Sequence, residues 1–284
     1  MKVTENLENQ ALQPVATTAS IDLNADVAEG FADEAIIPWL SSANLSCGAH
    51  AGDEHSIRRA LRLCQQHQVA AGAHPSYPDR QQFGRVRLTM SLSALKQSLI
   101  QQLDYFLALA AQEQVQVHHL KAHGALYNVA AQDVEIADVL LEIAQHYQLP
   151  LMGLAQSPLQ QRAAAHQVPF IAEAFADRGY LADGTLVPRQ QPGALLNTSE
   201  AIAQSLHLVL TGKIQTVEQQ TIELYADSIC LHGDSPSAVA LAKELSLALQ
   251  ANNIQIKPNV QVKPKLPLCN SQVKTRVQDN NNHN

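Results

Sequence analysis

A β/α barrel, with seven strands in place of the usual eight, is the fold class that this 284-residue sequence predicts. Three observations predict it. Short apolar runs alternate along the chain with longer amphipathic stretches, the pattern of repeated β-α units. Aromatic residues make up only 4% of the chain, so the core must be built from Ala, Leu, Val and Ile, which suits layered helices and strands better than a sandwich. No Pro/Gly/Ser-rich linker interrupts the alternation, so one domain is expected, with a doubly wound open sheet as the second choice.

The strands are predicted at IDLNAD (21–26), SANLSC (42–47), VAAGAH (69–74), VQVHHLKA (115–122), LPLMGLA (149–155), PFIAEAF (169–175) and DSICLH (227–232). Between them, helical periodicity covers about 54–67, 91–112, 132–147, 156–166, 198–211 and 236–251. Several helices begin on good caps: Ser91 and Ser93 before the second, Asp133 at the third, Ser235 and Pro236 at the last. Residues 1–19 are polar and without period, and read as an N-terminal extension before a 20–252 domain. Residues 253–284 are rich in Asn, Gln, Lys and Pro and read as a polar, disordered tail. That tail carries +4 from residue 254 onward and leaves −11 on the remainder.

Composition excludes several classes. A formal charge of −7 argues against nucleic acid as the main partner. No run reaches the ~18 apolar residues of a membrane span, and the N-terminus has no signal-peptide pattern. Cys47, Cys64, Cys230 and Cys269 form no CxxC pair, so a reducing, cytoplasmic setting is expected.

Polar clusters follow the strands one after another. Asn24, Asp26 and Glu29 close the first; Asn44 lies on the second, with His50 and Asp53 after it; His74 and Asp79 follow the third. Lys121 and His123 come after the fourth, Asp177 and Arg178 after the sixth, His232 and Asp234 after the last. In β/α folds these positions open on one face, where ligands bind. Taken singly each is weak: Asp26 or Asp53 could cap a helix, and His74 before Pro75 could sit in a turn. His55, His67, His118, His119, His146, His166 and His207 fall at helical or strand-internal positions and are assigned to surface or packing. The recurrence of imidazole, carboxylate and small residues, as in NLSCGAHAGD (44–53), is what points to a site. Such an array suits general acid-base chemistry or a divalent metal, with Asp26, His50 and His74 as the candidate ligands. Arg178 and Arg189, near glycines in FADRGYLADGTLVPR (175–189), suit a carboxylate or phosphate oxygen. No HExxH, GxxxxGK[ST] or GxGxxG motif is present.

The blocks IDLNADVAEGF (21–31), SANLSCGAHAGD (42–53), GAHPSYPDRQQFGR (72–85), KAHGALYN (121–128), EAFADRGYLADGTLVPR (173–189) and CLHGD (230–234) resemble the signature blocks of the LamB/YcsF family, that of the A component of 5-oxoprolinase. Ala28, Ala49 and Ala122 depart from that pattern, which has Gly, Phe and Pro there. The resemblance implies a seven-stranded barrel like that of polysaccharide deacetylases, and a cytoplasmic enzyme component that opens 5-oxoproline to glutamate with ATP and partner subunits B and C. In that setting Asp26 or Glu29 would position or deprotonate water, and His50, His74 and His123 would transfer protons or ligate metal. Lys121 and Arg178 would neutralise developing charge; Asn24, Asn44, Asp53, Asp79, Arg189, His232 and Asp234 would contact substrate or phosphate. The alternatives are a metal-dependent deacetylase or amidohydrolase independent of ATP, and a non-catalytic lactam-binding subunit.

Overall fold

The structure, a computed structural model, describes residues 19–233 and 237–259. Strands β1 (Ser20–Val27), β2 (Ser42–Ser46), β3 (Ala70–His74), β4 (Val117–Lys121), β5 (Leu151–Leu154) and β6 (Phe170–Phe175) pair in parallel, each with the next. A small antiparallel hairpin, β7 (Lys213–Gln215) and β8 (Thr221–Glu223), stands outside this sheet. β9 (Ser228–Leu231) then pairs with both β6 and β1, and the ring of seven is closed. All seven predicted strands are present, with ends shifted by a residue or two. The hairpin is not foreseen by the sequence pattern; its three-residue strands are too short to show a period.

Successive side chains on a strand point to opposite faces. On β1, Leu23, Ala25 and Val27 are buried in the apolar core, whereas Asp22, Asn24 and Asp26 bond to residues of other strands. The inward face is therefore polar, where barrels of this type usually hold branched aliphatics. Asn24 donates to Glu173 and Ser228, Asn44 donates to Asn24 and Asp26, and the Asp22 carboxylate accepts from Ser41, Ser42 and Ser228. His119 packs where any Cβ on Gly72 would sit, its Nε2 2.6 Å from Asn44 Oδ1. Only glycine allows β3 to approach that ring.

The outward faces are covered by helices α1 (Asp33–Ile36, running into a 3-10 turn at Ile37–Trp39), α2 (Glu54–His67), α3 (Leu92–Gln112), α4 (Gly124–Ala130), α5 (Val134–Tyr147), α6 (Pro158–Ala165), α7 (Thr198–Thr211) and α8 (Ala238–Ala251). α3 shows why they pack: Leu95, Leu99, Leu103 and Phe106 are buried at helical spacing, each contributing about 1.5–3 kcal/mol. Ser91 caps α3 and Asp133 caps α5, as predicted, while Ser93 only contacts the Ser91 hydroxyl. The predicted cap Ser235-Pro236 lies outside the described residues. α4 is absent from the sequence reading, because Gly124 after His123 reads as a turn.

Ile254 is buried, and a final strand, β10 (Gln255–Ile256), pairs with the start of β1. The fold thus continues past the boundary at 252 set from composition. Residues 1–18 and 260–284, most of the two predicted extensions, lie outside the described residues. Among the described residues, no helix is long and apolar enough to cross a membrane.

Candidate functional site

The C-terminal ends of the strands bring six of the predicted residues together. Asp26 ends the inward row of β1. The turn after it passes through Ala28 in the left-handed region (φ 58°) and returns Glu29 to the same mouth. His74 is the last residue of β3, Lys121 the last of β4, and His123 the N-cap residue of α4. His50 reaches in from the loop after β2.

Hydrogen bonds fix the tautomers of two of these rings. His74 Nδ1 donates to the Lys121 carbonyl (2.8 Å) and His123 Nε2 donates to the Phe83 carbonyl (2.9 Å). When neutral, each imidazole must then present a bare nitrogen on its other side. Those two nitrogens, His74 Nε2 and His123 Nδ1, are 3.0 Å apart. His74 Nε2 is also 3.2 Å from Asp26 Oδ2, and His123 Nδ1 is 3.2 Å from Glu29 Oε1. Lone pairs from Asp26, Glu29, His74 and His123 therefore converge within 4.8 Å, and only protons or a cation can hold them there. Two imidazole nitrogens backed by carbonyls, with two carboxylates, make a donor set that fits a divalent metal.

His50, expected as a metal ligand, stands one layer back. Its Nε2 lies 2.8 Å from Glu29 Oε1 and its Nδ1 3.0 Å from the Ser76 hydroxyl, and its ring stacks on His123. Burial pushes the His50 imidazole down to about 4, against the pull of Glu29, so it is neutral at pH 7 and donates to Glu29. Burial opposes the charge on Glu29, but hydrogen bonds from His50 and from His123, when His123 carries a second proton on Nδ1, bring its carboxyl down to about 2.

Beneath the cluster, the Lys121 ammonium is buried between Asp26 Oδ1 (3.1 Å) and Glu173 Oε1 (2.8 Å). Burial works against that charge, and the neighbouring acids outweigh it, holding Lys121 well above the ordinary lysine range. Burial would likewise raise Asp26, but His74 and Lys121 hold its carboxyl well below the usual range. Asp26 thus uses Oδ1 to grip the barrel floor and Oδ2 to face the mouth. A cavity of about 310 Å³ lies above, lined by Asp26, His74, Lys121 and His123 and walled by Tyr127, Phe175, Arg178, Arg189 and His232.

The remaining predicted residues divide. His232 is on the cavity wall, its ring stacked on Phe175 and its Nδ1 bonded to Asp177. Arg178 is on the wall too, but its guanidinium is engaged by the carbonyls of Val187 and Ala194. Arg189 is exposed at the rim. Asn24 and Asn44 lie below the cavity in the barrel network. Asp53 stands apart: it is the exposed N-cap of α2, paired with Ser56 in a capping box. Asp79 accepts from the Gln82 amide and shapes the 79–84 turn, which carries Phe83 over the histidines. Asp234 lies outside the described residues.

Sequence reasoning misses Glu173, fully buried on β6; His119, assigned to surface or packing, is packed in the barrel floor, where its bond to Asn44 is not foreseen. The signal for Glu173 is an acid in the middle of the apolar run PFIAEAF; for His119 it is the spacing of two from Lys121.

Comparison with known proteins agrees with this architecture. The model of the LamB/YcsF family matches residues 21–264. The chain is 43% identical over 244 residues to the 5-oxoprolinase A component of Histophilus somni (strain 129Pt), covering 84% of this chain and 99% of that one. It is 42% identical over 247 residues to the 5-oxoprolinase A component of Chloroflexus aggregans (strain MD-66 / DSM 9485), covering 84% and 98%. The crystal structure of the lactam utilization protein from Thermus thermophilus superposes with a TM-score of 0.80 at 33% identity, covering 84% of this chain and all of that one. With its seven-stranded barrel and its strand-end cluster of acids and histidines, this chain belongs to the LamB/YcsF family.

Proposed function

We propose that this chain is the lactam-opening subunit of an ATP-dependent 5-oxoprolinase, acting on 5-oxo-L-proline in the cytoplasm with partner subunits B and C. The relatives' names support the reaction class, and the observation that carries the reading is the convergence of four basic lone pairs above a buried lysine. A five-membered lactam resists water because amide resonance weakens both its carbonyl and its leaving nitrogen. Transfer of the γ-phosphoryl group of ATP to the amide oxygen, releasing ADP, removes that resonance; this step is assigned to the partners. Water then adds to the activated carbon, and its proton passes to the carboxylate of Asp26 or Glu29. The C–N bond breaks as that proton, relayed from the carboxylate through His123 or His74, reaches nitrogen, and a second water releases phosphate and leaves glutamate. Lys121 offsets negative charge developing above the barrel floor. A divalent ion, if held by Asp26, Glu29, His74 and His123, would supply Lewis acidity to the same step.

The four-donor set also favours a second reading, a metal-dependent amidohydrolase that needs no ATP. Glutamate release from 5-oxoproline separates the two, measured with this protein alone and with subunits B and C, each with and without ATP. Release only with partners and ATP supports the proposal. Chelator-sensitive release by the protein alone, without ATP, supports the second reading.

A further inference from the structure

Two cavities at the barrel mouth share a wall. The first, about 310 Å³, holds the cluster; the second, about 320 Å³, opens beside it, and Asn128, Arg178, Leu186 and Arg189 face both. The charge on these linings is one-sided. Among the described residues, no acid lines the second cavity, and Asp26, the one acid lining the first, already faces Lys121.

The two arginines on the shared wall differ in kind. Arg178 is buried, with Nε donating to the Ala194 carbonyl (3.0 Å) and a terminal nitrogen to that of Val187 (2.6 Å), so it ties down the 187–194 loop. That loop carries Arg189 past Pro188, and among the described residues Arg189 has no hydrogen-bond or ion-pair partner. Burial first, and then the charge of Arg189, makes it harder for Arg178 to hold its proton. The charge of Arg189 weighs on Arg178 more than the opposing pull of Asp177 does, and an anion placed against the two guanidinium groups relieves that repulsion. The planar guanidinium fork matches carboxylate and phosphoryl oxygens.

We propose that Arg189, presented by a loop that Arg178 fixes, is the anion-binding residue of this second chamber and selects substrates carrying a carboxylate or phosphoryl group. The chamber follows from the cavities and their charge. Only the identification of the anion with 5-oxoproline or its phosphorylated form rests on the function proposed above.

Calorimetric binding to the full-length protein tests this, using wild type, Arg189→Ala and Arg189→Lys with L-5-oxoproline, its neutral analogue 2-pyrrolidone, and inorganic phosphate. The expected result is a roughly 10- to 100-fold weaker binding of 5-oxoproline or phosphate by Arg189→Ala, unchanged binding of 2-pyrrolidone, and partial recovery by Arg189→Lys. An effect on 5-oxoproline alone assigns the chamber to the carboxylate; an effect on phosphate alone assigns it to the phosphoryl group. Equal affinity of wild type and Arg189→Ala for both anions overturns the proposal, as does absence of anion binding by the wild type. Arg189-dependent anion binding without lactam opening in the full mixture with B and C leaves the chamber standing and removes the lactam reading instead.

Discussion

His74 Nε2 and His123 Nδ1 face each other at 3.0 Å, and each ring has its other nitrogen bonded to a backbone carbonyl. Such rings can be neutral together only if something positive lies between them and the carboxylates of Asp26 and Glu29. The purified protein is therefore expected to take up one divalent transition-metal ion per chain, and a His74→Ala/His123→Ala double variant none. Elemental analysis after dialysis against zinc or manganese checks this. A wild type that binds no more metal than the double variant would show that protons alone hold the cluster.

Lys121 is the only cation bonded to both Asp26 and Glu173 among the described residues, and removing it leaves the buried Glu173 and the half-buried Asp26 without their shared counter-ion. Breaking a buried pair costs about 3–5 kcal/mol. Lys121→Met should show a loss of that size in urea unfolding at pH 7, together with loss of turnover. Glu173→Gln, which keeps an oxygen acceptor and one counter-ion, should cost less. Equal stability of wild type and Lys121→Met would contradict the ion cluster.

The pH dependence of stability follows from His50. Its folded pKa, about 4, lies below the usual value near 6.5, so between these the unfolded chain binds a proton that the folded chain does not. Stability from this group is full above pH 6.5 and falls by up to about 3 kcal/mol as pH drops to 4. Asp33 acts in the opposite sense: burial raises its carboxyl to about 6, so the folded state gains a proton first as pH falls. The comparison of wild type with His50→Gln isolates the histidine. Denaturant unfolding at pH 7 and pH 5 should show a smaller loss on acidification in the variant, and parallel losses would refute the assignment.

Gly72 and His119 make a coupled pair. A methyl group at Gly72 would overlap the His119 ring, so Gly72→Ala should cost about 1–3 kcal/mol by overpacking. In a His119→Ala background the same change should cost much less. A double-mutant cycle reads the coupling directly, and additive effects would mean that the ring does not occupy the barrel floor.

The same residues mark how far the fold and site are legible in the sequence. The seven strands can be read because each is an apolar run bounded by helical periodicity, and the alternation of Asp22, Asn24 and Asp26 shows one polar face on β1. Asp26, Glu29, His74, Lys121 and His123 stand out because strand ends in this fold share a mouth. Asp53 enters by the same reasoning, although helix capping, the ordinary role of an Asp before a helix, is where the structure places it. Glu173 and the bond from His119 to Asn44 escape notice because the partners lie on strands distant in sequence, and local pattern carries no sign of cross-barrel pairing. The β7–β8 hairpin and β10 escape because two or three residues cannot establish a period.

In the proposed function this chain supplies the groups that open the lactam. That role is tested most directly by glutamate formation from 5-oxoproline and ATP in a mixture with subunits B and C, comparing the wild-type chain with Asp26→Asn. A loss of about 10²- to 10⁴-fold is expected with the variant, at unchanged fold by circular dichroism. Wild-type rates of glutamate formation with Asp26→Asn would contradict it.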